Sequence, residues 1–267
     1  MKHESNSSTG QAGYEPVEQI AGNAAGGMIL LCDHATNIFP PGYGTLGMED
    51  AQLVRHIAFD IGAAALTREL ARRMGLPAVL SRFSRLLIDP NRGEDDPTLI
   101  MQLSDGAVVP GNARLDASER ERRLALCYRP YHDAVEAAVD AGLATGRPPA
   151  LLSIHSYTPV WRGTPRIWHA GILWDRDPRM ALPMLEMLGL EKDLIVGDNE
   201  PYSGNLRGDT MWRHGTMRGL ANALVEVRQD LIAEQNGVTA WADRLAPVIE
   251  ALLMRPEVNT VRQHGSA

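Results

Sequence analysis

The stretch 28-MILLCDHATN-37 is an apolar run of five residues that stops abruptly at an acid and a histidine. Gly26-Gly27 precede it. Bounded in this way, 28–32 reads as a strand buried on both faces. The pattern recurs at 150–154, where another apolar run ends in His155-Ser156. Working outward, helical spacing runs from 49 to about 74, with Gly62 dividing it and Gly75-Leu76-Pro77 ending it. Residues 78–81 and 86–88 read as strands. Residues 116–142 read as a long amphipathic helix interrupted at Pro130. Then follow a strand at 167–173, a helix at 177–188, a strand at 194–196 and a loop at 197–210. A strand at 223–228 and a helix at 239–253 complete the series. Strands alternating with helices predict an α/β domain of three layers, a mostly parallel or mixed sheet with helices on both faces. Residues 1–27, rich in Gly, Ser, Asn and Ala, read as a flexible lead-in. Residues 28–255 read as one domain and 256–267 as a polar tail.

With 267 residues, 44% apolar and 22% charged, the chain can bury a sizeable core. A net charge of −7 argues against a nucleic-acid surface. The two cysteines, Cys32 and Cys127, form no C-x-x-C pair and read as reduced core thiols. No apolar secretory core opens the chain and no run is long enough to span a membrane, so the cytoplasm is expected. The composition does not indicate an oligomeric state.

Sites in such folds gather where strands end. His34 and His155 stand at two such ends, either as core histidines or as ligands of a metal. A catalytic zinc site takes three protein ligands, and the third would be Asp60, Glu49 or Asp33. Asp60, in HIAFDIGA, reads equally as the cap of a helix starting at Ile61. Arg92 and Asn91, in IDPNRGEDD, form either a surface turn or a grip on a substrate carboxylate. Glu226 sits on an apolar strand, between Val225 and Val227. It is either a general base or half of an exposed pair with Arg228. The segments 155–163 and 199–205 have the composition of active-site loops. The charge run 175–179 reads as the solvated start of a helix.

Taken in order, CDHATN at 32–37, HIAFDIGA at 56–63, SRLLIDPNR at 84–92, IHSYTP at 154–159, DNEPYSG at 198–204 and GLANALVEVRQDLI at 219–232 resemble the N-formylglutamate amidohydrolase family. The match covers about 200 residues, nearly all of the expected domain. More distantly, the order His34, Asn91-Arg92, His155, Glu226-Val227-Arg228 is similar to zinc carboxypeptidases and aspartoacylase-like deacylases. The resemblance implies a zinc-carboxypeptidase/phosphorylase-hydrolase-like fold and one catalytic Zn2+, or another divalent metal, on His34, Asp60 and His155. His56 is the reserve ligand. The pattern departs at Asn37, where the peptidases carry a metal-binding Glu three residues after the first His.

The implied reaction is hydrolysis of a small-molecule N-acyl amino acid, N-formyl-L-glutamate or a related acidic one, as in histidine degradation. A metal-activated water attacks, with Glu226 as base and Glu200 as its alternate. Substrate contacts are expected from Asn91, Arg92, Arg85, Ser156, Asn199, Glu200, Tyr202, Arg207 and Arg228, with Arg85 or Arg207 on a second carboxylate. A zinc peptidase, a cell-wall-type amidase and a metal-free binding protein on the same fold are the rival readings.

Overall fold

All five side chains of Met28–Cys32 are buried, as the middle of a covered sheet requires. The computed structural model describes residues 13–267, and the expectation for residues 1–12 lies outside the described residues. The strands are β1 (Val17–Ile20), β2 (Met28–Cys32), β3 (Ala78–Ser81), the short β4 (Leu103–Ser104) and β5 (Ala107–Val108), and β6 (Ala150–Tyr157). Next come the short β7 (Val160–Trp161) and β8 (Thr164–Pro165), then β9 (Ala170–Leu173), β10 (Val196–Asp198) and β11 (Asn222–Arg228). Seven of them form one sheet in the order β1-β3-β2-β6-β11-β9-β10. β3, β2, β6 and β11 run parallel, β1 and β9 lie antiparallel to their inner neighbours, and β10 follows β9. The sheet is therefore mixed, with a parallel centre. The pairs β4–β5 and β7–β8 are separate hairpins.

The helices are α1 (Asp50–Leu53), α2 (Ala63–Met74), α3 (Ala117–Arg123), α4 (Arg129–Ala144), α5 (Pro178–Gly189), α6 (Thr210–His214) and α7 (Gln235–Leu253). Because strand side chains alternate, each central strand feeds two cores. Met28, Leu30, Cys32, Leu152, Ile154, Val225 and Val227 pack with α2, α5 and α7. Ile29, Leu31, Leu151 and Leu224 pack with α4 on the other face. The result is the three-layer α/β arrangement.

The helical stretch 49–74 is two helices, as expected: α1 ends at Leu53, and Gly62, at φ +81° where a Cβ would sit 2.1 Å from the Ile232 carbonyl oxygen, precedes α2. Several other expected elements differ. Residues 86–88 are buried but join no sheet. Their carbonyls are satisfied by side chains instead: Asn112 Nδ2 donates to Leu86 O (2.8 Å) and Arg123 Nη1 to Leu87 O (2.9 Å). Strand β6 runs on to Tyr157, so His155 lies within the strand and not after it. The long helix 116–142 contains a π turn at Leu124–Tyr128. Pro130 offers no N–H to the Leu126 carbonyl, and the Arg129 N–H reaches back to Leu124 O. Val17–Ile20, expected to be mobile, pairs along β3. In the expected tail, Val258 is buried and the Arg262 N–H bonds Gly219 O (2.8 Å).

Candidate active site

Parallel register delivers the first pair of functional groups. His155 on β6 stands opposite Glu226 on β11, so both project from the α4 face of the sheet. Asp33 and His34 follow β2 directly. Asp60 lies in the turn before α2, where its N–H bonds His34 O (2.9 Å). Its main-chain oxygen accepts from the Ala63 N–H (3.2 Å), but Gly62, not Asp60, is the N-cap residue of α2. The Asp60 side chain is thereby left for the site.

His155 Nδ1 faces Asp60 Oδ2 at 2.8 Å and His34 Nδ1 faces the same oxygen at 3.3 Å. One donor atom from each of the three residues falls within 4.8 Å of the others, and all three residues are buried. The far nitrogens are tied down. His155 Nε2 donates to Asp33 Oδ2 (2.9 Å) and His34 Nε2 to Asp89 Oδ1 (2.7 Å). Asp33 is saturated in turn by Tyr131 Oη, Ser153 Oγ and Thr210 Oγ1. A proton fixed on Nε2 leaves the Nδ1 lone pair free, the arrangement of carboxylate–histidine–metal sites. Two such imidazoles and one carboxylate fit a divalent metal such as zinc.

The carboxylates around the imidazoles also set the charges of the site. Burial opposes charge on His155, but bonds to Asp33 and Asp60 outweigh it and hold its pKa well above the ordinary value. Burial likewise opposes the carboxylates of Asp33, Asp60 and Asp89. The nearby histidines at Asp33 and Asp60, and Arg85 with His34 at Asp89, nevertheless keep all three below the usual range. Burial pushes Glu226 up to about 7, with His155 opposing and Asp60 adding to the rise. Glu226 Oε2 is buried and makes no hydrogen bond among the described residues. A buried carboxylate held between His155, which favours its charge, and Asp60, which opposes it, is poised to exchange a proton near neutral pH.

These groups open on a cavity of about 370 Å³ that also exposes Arg85, Asn91, Arg92, Ser156 and Tyr202. Asn91 Oδ1 accepts from the Thr210 N–H (3.1 Å), which leaves its Nδ2 for a ligand. Arg92 Nη1 donates to Asn91 O (2.8 Å). Ser156 serves Asp60: its N–H reaches Asp60 Oδ2 (3.3 Å) while Oγ anchors on Ile61 O (2.8 Å). Arg85 donates to Asp89 Oδ2 (2.8 Å).

Other expected residues lie elsewhere. Arg207 is exposed over the Trp212 ring, 5.9 Å from its centroid, and does not line the cavity. Asn199 pins its own loop, accepting from the N–H groups of Trp174 (3.0 Å) and Gly204 (2.8 Å). Glu200, the alternate base, is exposed on a neighbouring surface pocket. Arg228 turns to Asp230 (2.8 Å), not to Glu226. Of the other ligand choices, Glu49 is exposed ahead of α1, Asp33 orients His155, and His56 faces Asp105 (3.5 Å). Asn37 turns away to donate to Leu53 O (2.9 Å). Asp177 caps α5, as a helix start requires, but it is not solvated: Asp177 and Arg179 are buried, and Arg179 donates to Asp177 and Gly219 O.

Some contributors went unread in the sequence. Tyr128, in the π turn, donates to Arg92 O (2.8 Å). His214 Nε2 donates to His132 Nδ1 (2.9 Å), and His132 Nε2 to Pro90 O (3.1 Å). Together they set the Asn91-Arg92 turn from behind. Arg166 lies over the rings of Tyr157, Trp161 and Tyr202 and donates to Tyr202 Oη (2.9 Å). The one signal for the first group was the spacing of Tyr128, Tyr131 and His132 on one helical face.

Residues 26–233 match the sequence model of the family described as FGase, N-formylglutamate amidohydrolase. A crystal structure of a gene product from Agrobacterium tumefaciens is similar at a TM-score of 0.85 and 36% identity, over 91% of this chain and 97% of that one. The N-formylglutamate amidohydrolase from Ralstonia eutropha shares the fold at a TM-score of 0.66 and 22% identity, over 89% of this chain and 97% of its own. No curated protein matches the chain. No helix among the described residues is long and apolar enough to cross a membrane. With its family match running from the strand before His34 to the strand that bears Glu226, the chain belongs to the N-formylglutamate amidohydrolase family.

Proposed function

We propose that this chain hydrolyses the amide bond of N-acyl amino acids, with the family's N-formyl-L-glutamate as the first substrate to test. One divalent metal, zinc by the donor set, would be held by His34, Asp60 and His155. The observation that carries the reading is the convergence of those three donors beside the unpartnered oxygen of Glu226. When bound, the metal supplies a Lewis acid for the acyl carbonyl and lowers the pKa of water. Glu226 Oε2 takes a proton from the attacking water and returns it to the leaving amine nitrogen. Arg92 and Asn91 Nδ2 hold the α-carboxylate. Asp33 and Asp89 keep the two imidazoles in the Nε2–H form. The chain order of these groups supports a carboxypeptidase-like arrangement of roles.

The test is release of free amine from N-formyl, N-acetyl and N-succinyl amino acids. It uses protein stripped with a chelator and then reloaded with zinc. Turnover is expected only in the reloaded protein. Equal turnover in the stripped protein would exclude the metal role, and none on any substrate would exclude the hydrolase.

A further inference from the structure

Asp60, Asp105, Asp209 and Glu226 line the cavity wall, with His34, His56, Arg85, Arg92 and His155. Four of those five bases already face acids, His34 and His155 through Asp60, Asp89 and Asp33. Arg85 donates to Asp89 Oδ2 (2.8 Å) and lies 3.6 Å from Asp60 Oδ1. His56 faces Asp105, which Arg55 also pairs at 2.7 Å. Arg92 is left as the one lining cation with no ion-pair partner among the described residues. Arg207 and Arg166 lie outside the lining. Asp209 is buried, lines the same wall, and spends one oxygen on the Trp212 N–H (2.6 Å).

Most of the remaining lining is apolar or aromatic, with Ile57, Met101, Leu103, Trp161, Trp174 and Leu206 among it, and Ser104, Ser203 and Asn222 add uncharged polar groups. At about 370 Å³ the cavity falls within the range that holds drug-sized ligands, so it offers more room than a formylated dicarboxylic acid needs. A second carboxylate would be desolvated there with no unpaired side-chain cation to meet it.

We infer that the cavity is built for an N-acyl amino acid with a single carboxylate, held by Arg92, and an uncharged, largely apolar side chain or acyl group. This rests on the hydrolase reading above and narrows its substrate class away from glutamate. N-formyl-L-glutamate, N-formyl-L-glutamine and N-formyl-L-methionine separate charge from shape, because glutamine keeps the outline of glutamate without the charge. In the zinc-loaded protein, kcat/KM for the methionine compound is expected to exceed that for glutamate by about 10-fold or more, with glutamine between them. Calorimetric binding to the Glu226→Gln protein should give the same order. If no compound is hydrolysed but the binding order holds, the hydrolase reading fails and the substrate class stands. Glutamate bound as tightly as methionine or more tightly, or no binding of any of the three, would overturn the inference.

Discussion

Behind His34, Asp60 and His155, the inner wall of the cavity is held by buried bonds at both ends of each imidazole, and Asp33 alone accepts four. The outer wall hangs on much less. Residues 197–204 are held by Asn199, which accepts from two backbone N–H groups, by the bonds Trp174 Nε1–Asp198 (2.7 Å) and Arg166–Tyr202 (2.9 Å), and by glycines that allow close approach. A Cβ on Gly171 would lie 1.9 Å from Glu200 O, and one on Gly204 would lie 2.1 Å from Trp174 N. The hairpins carrying Leu103 and Trp161 add short, separate pairs. The inner wall is therefore built to hold reacting geometry, and the outer wall to set what enters. Changes to the first should act on metal and kcat, changes to the second on KM and substrate choice.

The largest effect should come from His155→Ala. It removes a ligand and leaves Asp33 and Asp60 facing each other without the group both bond. Metal content, measured by atomic emission, should fall from about one per chain to near zero, and activity with it, since three ligands define such a site. Full metal occupancy in the variant would take His155 out of the site. Next, Glu226→Gln should keep the metal and lower kcat by roughly 100-fold or more, the usual range for a general base. Turnover at the wild-type rate would place the base elsewhere.

Asp33→Asn probes the layer behind. The amide cannot accept all four bonds, and its NH2 would confront the Tyr131 and Thr210 hydroxyls. Metal affinity, by competition with a chromogenic chelator, should weaken by about 10–100-fold. An unchanged affinity would show that Asp33 serves only the core.

The two walls were not equally legible. His34, His155 and Glu226 could be read because each stands out as a polar residue at an apolar strand, where burial demands a reason. Asp60 was readable only beside the resemblance, since its sequence context equally fits a helix cap. Asp89 looked like turn composition, and nothing local says that it meets His34 from 55 residues away. Arg207, Asn199, Glu200 and Arg228, expected at the substrate, face other partners or solvent. A loop has no period, so composition does not say which side chains turn inward. Strand 86–88 failed for a related reason: buried carbonyls there found Asn112 and Arg123, a long-range solution invisible to an apolar run.

The rigid side should also show itself in acid. Burial lowers His132 to about 3, with the charge of His214 next, and lowers His214 to about 4, with Arg213 next. Both folded values lie below the ordinary 6.5. Stability from the neutral pair is thus complete above the unfolded value and is lost as pH falls toward the folded ones. Glu226 and Asp209, both raised to about 7, work oppositely, adding stability as pH falls from about 7. A His132→Gln, His214→Gln double variant should therefore lose less melting temperature than wild type between pH 7 and 5. Parallel curves would mean that the pair does not titrate differently on folding.

The smallest effect belongs to the outer wall, at Arg166. Its guanidinium lies 4.9–5.3 Å from the centroids of three rings and donates to Tyr202 Oη. An oxygen that accepts from Arg166 must aim its own hydrogen elsewhere, and Tyr202 borders the cavity. Arg166 would then act as a positioning residue, fixing Tyr202 as a donor to bound substrate. Arg166→Lys keeps the charge but loses the flat stacking plane. Arg166→Met removes both. KM should rise about 3- to 10-fold in Arg166→Met, the worth of one hydrogen bond, while kcat and metal content stay near wild type. Tyr202→Phe should raise KM equally, and adding Arg166→Met to it should do little more, because both remove one contact. Independent, multiplying effects would show that Arg166 supports the wall without acting through Tyr202. A fall in kcat at unchanged KM would join the outer wall to the inner one and erase the division between them.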